Sequence, residues 1–128
     1  MPGYDSSRFK PPAPLALVTV RNIETGQSTS DIPMLIDLGA DITLLPGNII
    51  YSAGLTVKTD QEYKLEGFDG TVSVAPTVQA EMVFCGKSFR GPYPLIEQEY
   101  GILGRNVLNF LALLFDGPNL NWDEYHRP

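Results

Sequence analysis

Two short segments of the chain carry side chains whose types and spacing favour chemistry. In the first, the apolar residues 33–36 lead directly into Asp37, which is followed by residues 38–40, Leu-Gly-Ala. In the second, another apolar run ends at residues 104–106, Gly-Arg-Asn. A carboxylate at the end of a buried strand is costly unless it is hydrogen-bonded or paired. Asp37 therefore either has a structural partner or takes part in a reaction.

The composition predicts a single all-β domain. The chain has 128 residues, of which 43% are hydrophobic and 19% are charged, so it can build one modest core. Its 12 glycines and 11 prolines divide it into short segments, which favours strands and turns over helices.

Charge and cysteine content exclude several classes of protein. A formal charge of −6 argues against a nucleic-acid partner, and the lack of a long apolar run argues against a membrane span. The single cysteine, Cys85, allows no disulfide within the chain, and its position at the end of an apolar strand favours a buried hydrophobic role. Without a secretory signal, a reducing cytoplasmic location is expected. No cluster of His, Cys and acidic residues has metal-ligand spacing, so neither a metal nor a cofactor is expected.

Hydrophobic periodicity and turn residues place the expected elements along the chain. We expect a flexible, Pro-rich N-terminal arm over residues 1–13 and a domain over residues 14–125. The clearest feature is a hairpin whose tip, residues 67–70, leads into apolar positions that recur every second residue from 72 to 84. The other expected elements are strands over 15–21, 32–36, 42–45 and 101–103, helical turns over 48–53, an extended segment over 88–98, a short helix over 105–110, and a final hairpin of 111–115 with 120–122.

The two chemical segments resemble signatures of one protein family. Residues 35–46, Leu-Ile-Asp-Leu-Gly-Ala-Asp-Ile-Thr-Leu-Leu-Pro, resemble the active-site strand and turn of retropepsin-like aspartic proteases. Residues 101–109 are similar to that family's second signature, and the tip at 67–70 falls where the family has its flap. The resemblance covers roughly residues 15–124 and implies an acid protease fold that is all-β and closed-barrel-like, with a flap hairpin and one short C-terminal helix.

The resemblance also implies a reaction. Aspartic proteases hydrolyse peptide bonds with two carboxylates that share one proton around a water molecule. This chain has one such half-site, because Asp69-Gly70 and Asp116-Gly117 lack the residue that separates Asp37 from Gly39. A homodimer that places Asp37 beside its mate would complete the site. The expected substrate is an extended polypeptide held beneath the flap residues Gly67, Phe68, Asp69 and Gly70.

Supporting roles follow from the same resemblance. Gly39 would let the backbone turn sharply and approach the water, and Ala40 would leave room beside the cleft. Asp41 and Arg105 match a family ion pair that ties the active-site turn to the short helix.

Leu38 departs from the family pattern, which has Thr or Ser after the catalytic aspartate. In the family that hydroxyl bonds the backbone of the partner chain, whereas leucine has no donor or acceptor. Three hypotheses follow. The chain is an active endopeptidase, a catalytically impaired pseudoprotease that serves as a peptide-binding or dimerisation module, or a monomer whose interface is broken at Leu38.

Overall fold

The computed structural model describes residues 2–67 and 69–128, with the side chains of residues 59–61 outside this description. Ten strands and two four-residue helices are found in this part of the chain, and the all-β class is confirmed. In chain order they are β1 (Tyr4–Asp5), β2 (Ala13–Arg21), β3 (Ser28–Ile36), β4 (Leu45–Pro46), α1 (Ile49–Ser52), β5 (Val57–Glu66), β6 (Val72–Phe84), β7 (Lys87–Ile96), β8 (Gly101–Leu103), α2 (Arg105–Leu108), β9 (Leu113–Asp116) and β10 (Asn121–Glu124).

Most strands belong to one sheet with the order β4-β7-β6-β2-β3-β8, to which β1 adds on β2 and β5 on β6. Neighbours along this path are antiparallel except at its two ends, where β8 pairs with β3 and β4 pairs with β7 in parallel. The hairpin of β9 and β10 forms a separate two-stranded sheet.

The two ends of the large sheet meet at one point. Leu44, directly before β4, forms an antiparallel bridge with Ile102 of β8, through backbone hydrogen bonds of 2.9 and 2.8 Å. The expected closed-barrel-like character is therefore represented here by a single bridge between the end strands. The bridge matters for the site because it ties together the segments that follow β3 and that form β8.

The alternation of side chains along the strands builds the core. In β2, Ala16, Val18 and Val20 point to the buried face, as the period of two residues requires. The long strand β6 adds Val78, Ala80 and Met82 to the same core. Burial of these aliphatic side chains supplies the main stabilisation of the sheet.

Several elements differ from the sequence-based expectation. Of the strand predicted over 42–45, only Leu45 lies in a strand, which continues to Pro46 as β4. The segment expected only to be extended over 88–98 contains strand β7, in which Pro92 and Pro94 both pair with β6. A proline lacks only its own N–H, and β4 joins the other edge of β7 at residues 95–96, beyond both prolines.

The N-terminal segment also has more structure than its composition predicts. Within residues 2–13, Tyr4 and Asp5 pair with Pro14 and Ala13 of β2, and Gly3 forms a bridge with Asn121. Among the described residues, no helix is long and apolar enough to cross a membrane.

Candidate active site

Asp37 lies immediately after β3, where the parallel neighbour β8 fixes its backbone. Ile36 and Leu103 are register partners, and the Asp37 amide donates to the Leu103 carbonyl at 3.0 Å. The side chain is oriented by the turn that follows, because the Gly39 amide donates to Asp37 Oδ1 at 2.9 Å. Asp37 Oδ2 has no hydrogen-bond partner among the described residues. The carboxylate is thus held by one oxygen and leaves the other available to a reactant.

Glycine at position 39 is required by this arrangement. A Cβ atom built there would lie 3.1 Å from Asp37 Oδ1, so a side chain would crowd the carboxylate that the amide holds. The Ala40 amide closes the turn by donating to the Asp37 carbonyl at 3.2 Å. The roles expected of Gly39 and Ala40 as small residues of a tight turn fit this geometry.

The contact between Arg105 and the turn differs from the expected one. The Arg105 guanidinium donates from Nη1 to the Leu38 carbonyl at 2.7 Å, and its backbone amide donates to the Ala40 carbonyl at 2.9 Å. No ion pair joins Asp41 to Arg105 in the described part of the chain, so this prediction was wrong for the single protomer. Asp41 is exposed and meets α2 only through its carbonyl, which accepts from the Asn106 amide at 3.3 Å. Arg105 does tie the turn to the helix, but through carbonyls and not through a carboxylate.

Thr43 is a positioning residue that the sequence analysis missed. Its side chain is 1% exposed, its hydroxyl donates to Asn106 Oδ1 at 2.8 Å, and its Oγ1 accepts from the Gly104 amide at 3.0 Å. A polar residue inside the apolar run 42–45 was the available signal, because a buried hydroxyl needs partners. The Thr43 side chain connects the segment after the active-site turn to the start of α2.

Of the expected flap residues, Gly67, Asp69 and Gly70 lie at the tip of the β5–β6 hairpin. The Gly67 amide donates to the Thr71 carbonyl at 2.9 Å, the Gly70 amide donates to the Gly67 carbonyl at 3.0 Å, and Gly70 has a φ of 81°. The hydroxyl and the amide of Thr71 both donate to Asp69 and lower the pKa of that carboxyl. Asp69 therefore organises the tip, while Phe68 lies outside the described residues. No hydrogen bond joins the described residues of the tip to the turn at 37–41.

Leu38 projects into an exposed apolar patch. Its side chain is 60% exposed and borders a surface cavity of about 330 Å³. We call the residues that line this cavity the Leu38 patch: Ile36, Leu38, Leu108, Leu111, Ala112, Leu113, Phe115 and Tyr125. No member is charged, and the patch lies next to the candidate catalytic residue in sequence and in space. Exposed apolar surfaces of this kind mark contact sites in soluble proteins.

Other groups offer little chemistry. Burial raises the pKa of the Cys85 thiol to about 11, which disfavours the thiolate needed of a nucleophile. A larger cavity of about 830 Å³ lies between β7 and α2, but none of the expected site residues lines it. No group of three or more potential metal ligands occurs within residues 2–67 and 69–128.

We predict that Thr43→Val lowers the free energy of unfolding by about 1–3 kcal/mol, because it leaves the buried Gly104 amide without an acceptor. Thr43→Ser is the matched control, since it keeps the hydroxyl and removes only a methyl group. Urea unfolding followed by tryptophan fluorescence compares the two variants. Equal destabilisation by Val and Ser would show that the hydroxyl does not matter.

Comparison with known proteins gives a match in structure and not in sequence. No family model matches the chain, and no curated protein matches it. Among solved structures, 131 chains are similar. One is the EIAV protease complexed with the inhibitor HBY-793, with a TM-score of 0.57 and 17% sequence identity over 77% of this chain and 86% of that chain. At this identity the likeness shows the fold alone, and the fold of this chain is that of a retroviral protease.

Proposed function

We propose that the chain is an aspartic endopeptidase that works as a homodimer and hydrolyses peptide bonds with water activated between the Asp37 carboxylates of two copies. The observation that carries this proposal is the geometry of Asp37. One carboxylate oxygen is fixed by the Gly39 amide and the other has no partner among the described residues, in a fold similar to that of the EIAV protease.

The chemistry requires both carboxylates and a single shared proton. Two carboxylates in close contact do not both ionise readily, so the pair keeps one proton between them. The ionised member removes a proton from water as the water oxygen bonds to the substrate carbonyl carbon, while the protonated member donates its proton to the carbonyl oxygen. Collapse of the tetrahedral intermediate breaks the C–N bond, as the protonated carboxyl gives its proton to the leaving nitrogen and the other carboxylate takes a proton from a hydroxyl of the intermediate. The pair then again holds one proton.

Two features support the homodimer. The chain supplies one Asp37 half-site, so the second carboxylate has to come from another copy. The Leu38 patch offers an uncharged surface next to that half-site, and β9 pairs only with β10 among the described strands, which leaves its other edge open. Burial of the patch against a second copy would remove this apolar surface from water and cover an open strand edge.

The substrate proposal rests on the β5–β6 hairpin. Its tip closes with glycines at both ends, which permits bending, and Asp69 stabilises the turn from within. We infer that the tip closes over an extended polypeptide, adds backbone hydrogen bonds by strand addition, and excludes water from the site.

Leu38 is compatible with catalysis because the intrachain geometry does not use its side chain. The contacts that hold the turn are the Leu38 carbonyl to Arg105 and the Gly39 amide to Asp37, and both are backbone groups of the turn. Leu38 can pack on its mate across the two-fold axis, and burial of its exposed part would contribute about 1–2 kcal/mol per copy.

The second candidate function is a non-catalytic peptide-binding or dimerisation module. The observation that favours it is Leu38 itself, whose side chain has no hydrogen-bonding group where the family has a hydroxyl. It shares the fold and the patch with the first candidate, so only activity measurements separate the two.

Asp37→Asn should abolish hydrolysis, because an amide can neither accept the proton from water nor share one with its mate. Cleavage of a peptide library between pH 4 and 7, read by mass spectrometry, measures the loss. Asp116→Asn is the control, since Asp116 caps a surface turn by accepting from Asn119. Equal cleavage by the wild type and Asp37→Asn would remove the proposed mechanism.

Substitution at position 38 decides between the two candidate functions. Valine has the shape of threonine without its hydroxyl, so Leu38→Val is the matched control for Leu38→Thr. For an active enzyme, both variants should cleave peptides within about tenfold of the wild-type kcat/KM, because the turn is held by backbone groups. An inactive wild type that gains Asp37-dependent cleavage with threonine, and not with valine, would establish the pseudoprotease.

Phe115→Glu should weaken association at least tenfold, because the two-fold axis would bring like charges together within the Leu38 patch. Tyr51→Glu is the control, since Tyr51 is 84% exposed on α1 and lies outside the patch. Sedimentation equilibrium gives the dissociation constant of each variant. A wild type that stays monomeric, or equal constants for both variants, would exclude this interface.

A further inference from the structure

The N-terminal segment holds the C-terminal hairpin in place. The Trp122 amide donates to the Pro2 carbonyl at 3.1 Å, and the Tyr4 amide donates to the Leu120 carbonyl at 2.9 Å. On its other side the segment accepts from the Leu15 amide through the Gly3 carbonyl at 3.2 Å. Residues 2–4 therefore connect β2 to residues 120–122 through backbone hydrogen bonds.

Residues 5–9 of the same segment make a second set of contacts, at the end away from the hairpin. The Arg8 amide donates to Asp5 Oδ1 at 2.8 Å, and the Arg8 guanidinium lies 2.6 Å from Asp5 and 3.5 Å from Glu99. These contacts, first of all the Arg8 amide, lower the pKa of Asp5 to about 2, so the carboxylate stays charged at working pH. The Phe9 ring meets the Tyr100 ring edge to face with centroids 5.0 Å apart.

The residues that Arg8 and Phe9 contact, Glu99 and Tyr100, are close in sequence to the strand that holds the candidate site. Glu99 and Tyr100 directly precede β8, the strand whose Leu103 carbonyl accepts from the Asp37 amide. We call residues 2–9 the clasp, because they contact the β9–β10 hairpin at one end and the segment before β8 at the other.

The other attachments of the hairpin are made by Trp122, which is buried in the core, and by Leu113, which packs against the core. Trp122 Nε1 donates to the Leu15 carbonyl at 3.0 Å, and the Trp122 ring packs on Phe84 with centroids 5.8 Å apart. A two-stranded hairpin is marginally stable without such support. The hairpin also contributes Leu113 and Phe115 to the Leu38 patch, so a loose hairpin would have to be ordered when two copies associate.

We propose that the clasp is an intramolecular device that preorganises the β9–β10 hairpin and thereby controls the pairing of two copies. The inference rests on the proposed function, because it takes the Leu38 patch as the surface where the copies meet. A displaced clasp would leave the hairpin mobile and the dimer weak, so any event that captures residues 2–9 would lower the activity of the shared site.

The experiment opens the clasp in the 128-residue chain with a single substitution. Tyr4→Pro removes the N–H that donates to the Leu120 carbonyl, whereas Tyr4→Ala removes the same ring and keeps the N–H. Relative to Tyr4→Ala, Tyr4→Pro should raise the hydrogen-exchange rate of the Trp122 amide and the dissociation constant of the dimer, each at least tenfold.

The outcomes separate the clasp from the proposed function. A monomeric wild type contradicts the homodimer itself. A dimeric wild type with equal dissociation constants for Tyr4→Pro and Tyr4→Ala overturns the clasp and leaves the dimer standing. Should Tyr4→Pro fail to fold, Phe9→Ala opens the far anchor, where it removes the contact with Tyr100. That variant should raise the dissociation constant at least threefold, and an unchanged constant overturns the proposal.

Discussion

Two hydrogen bonds from Arg105 hold the turn after β3, and the geometry of the candidate site depends on them. The backbone amide reaches the Ala40 carbonyl and the guanidinium reaches the Leu38 carbonyl, so the turn is fixed from both of its limbs. A turn fixed in this way keeps the Gly39 amide directed at Asp37 Oδ1. Thr43 stabilises the same arrangement, because its buried hydroxyl accepts a hydrogen bond from the Gly104 amide and so connects the segment after the turn to the start of α2. The carboxylate is thus preorganised within one chain, before any second copy arrives.

Because backbone groups and not the side chain of residue 38 hold the turn, leucine is compatible with the geometry at that position. The backbone of Leu38 serves the turn and the side chain does not, so the side chain is free to serve the surface between copies. A hydroxyl network would fix the separation of two carboxylates by directional bonds, whereas apolar contact has no direction of its own. With leucine, the separation of the two Asp37 side chains would follow from the shape of the whole interface. In the proposed dimer, the orientation of the β9–β10 hairpin would then be part of the catalytic geometry.

The sequence predicted the features that depend on local pattern. Alternating apolar residues placed β2 and β6, and the apolar run before Asp37 placed the carboxylate at the end of β3. Features set by distant contacts were missed or wrong. The Pro-rich composition of residues 2–13 does not show that Tyr4 finds the Leu120 carbonyl more than 100 positions away. The family resemblance linked Arg105 to the turn but could not rank a carboxylate against a carbonyl as its acceptor, and the Leu38 carbonyl is the partner in the structure.

Charge sets a further constraint on how two such chains can associate. Each copy carries a net charge of −6, so two copies repel each other at long range, and in the proposed dimer the two Asp37 carboxylates would repel each other at short range. A shared proton relieves the second repulsion but not the first. The attraction that offsets the first has to come from uncharged surface, and every residue of the Leu38 patch is uncharged. Added salt screens the repulsion between copies and leaves apolar burial in place. Association of this protein through the patch should therefore strengthen as ionic strength rises, whereas an interface held by ion pairs would weaken.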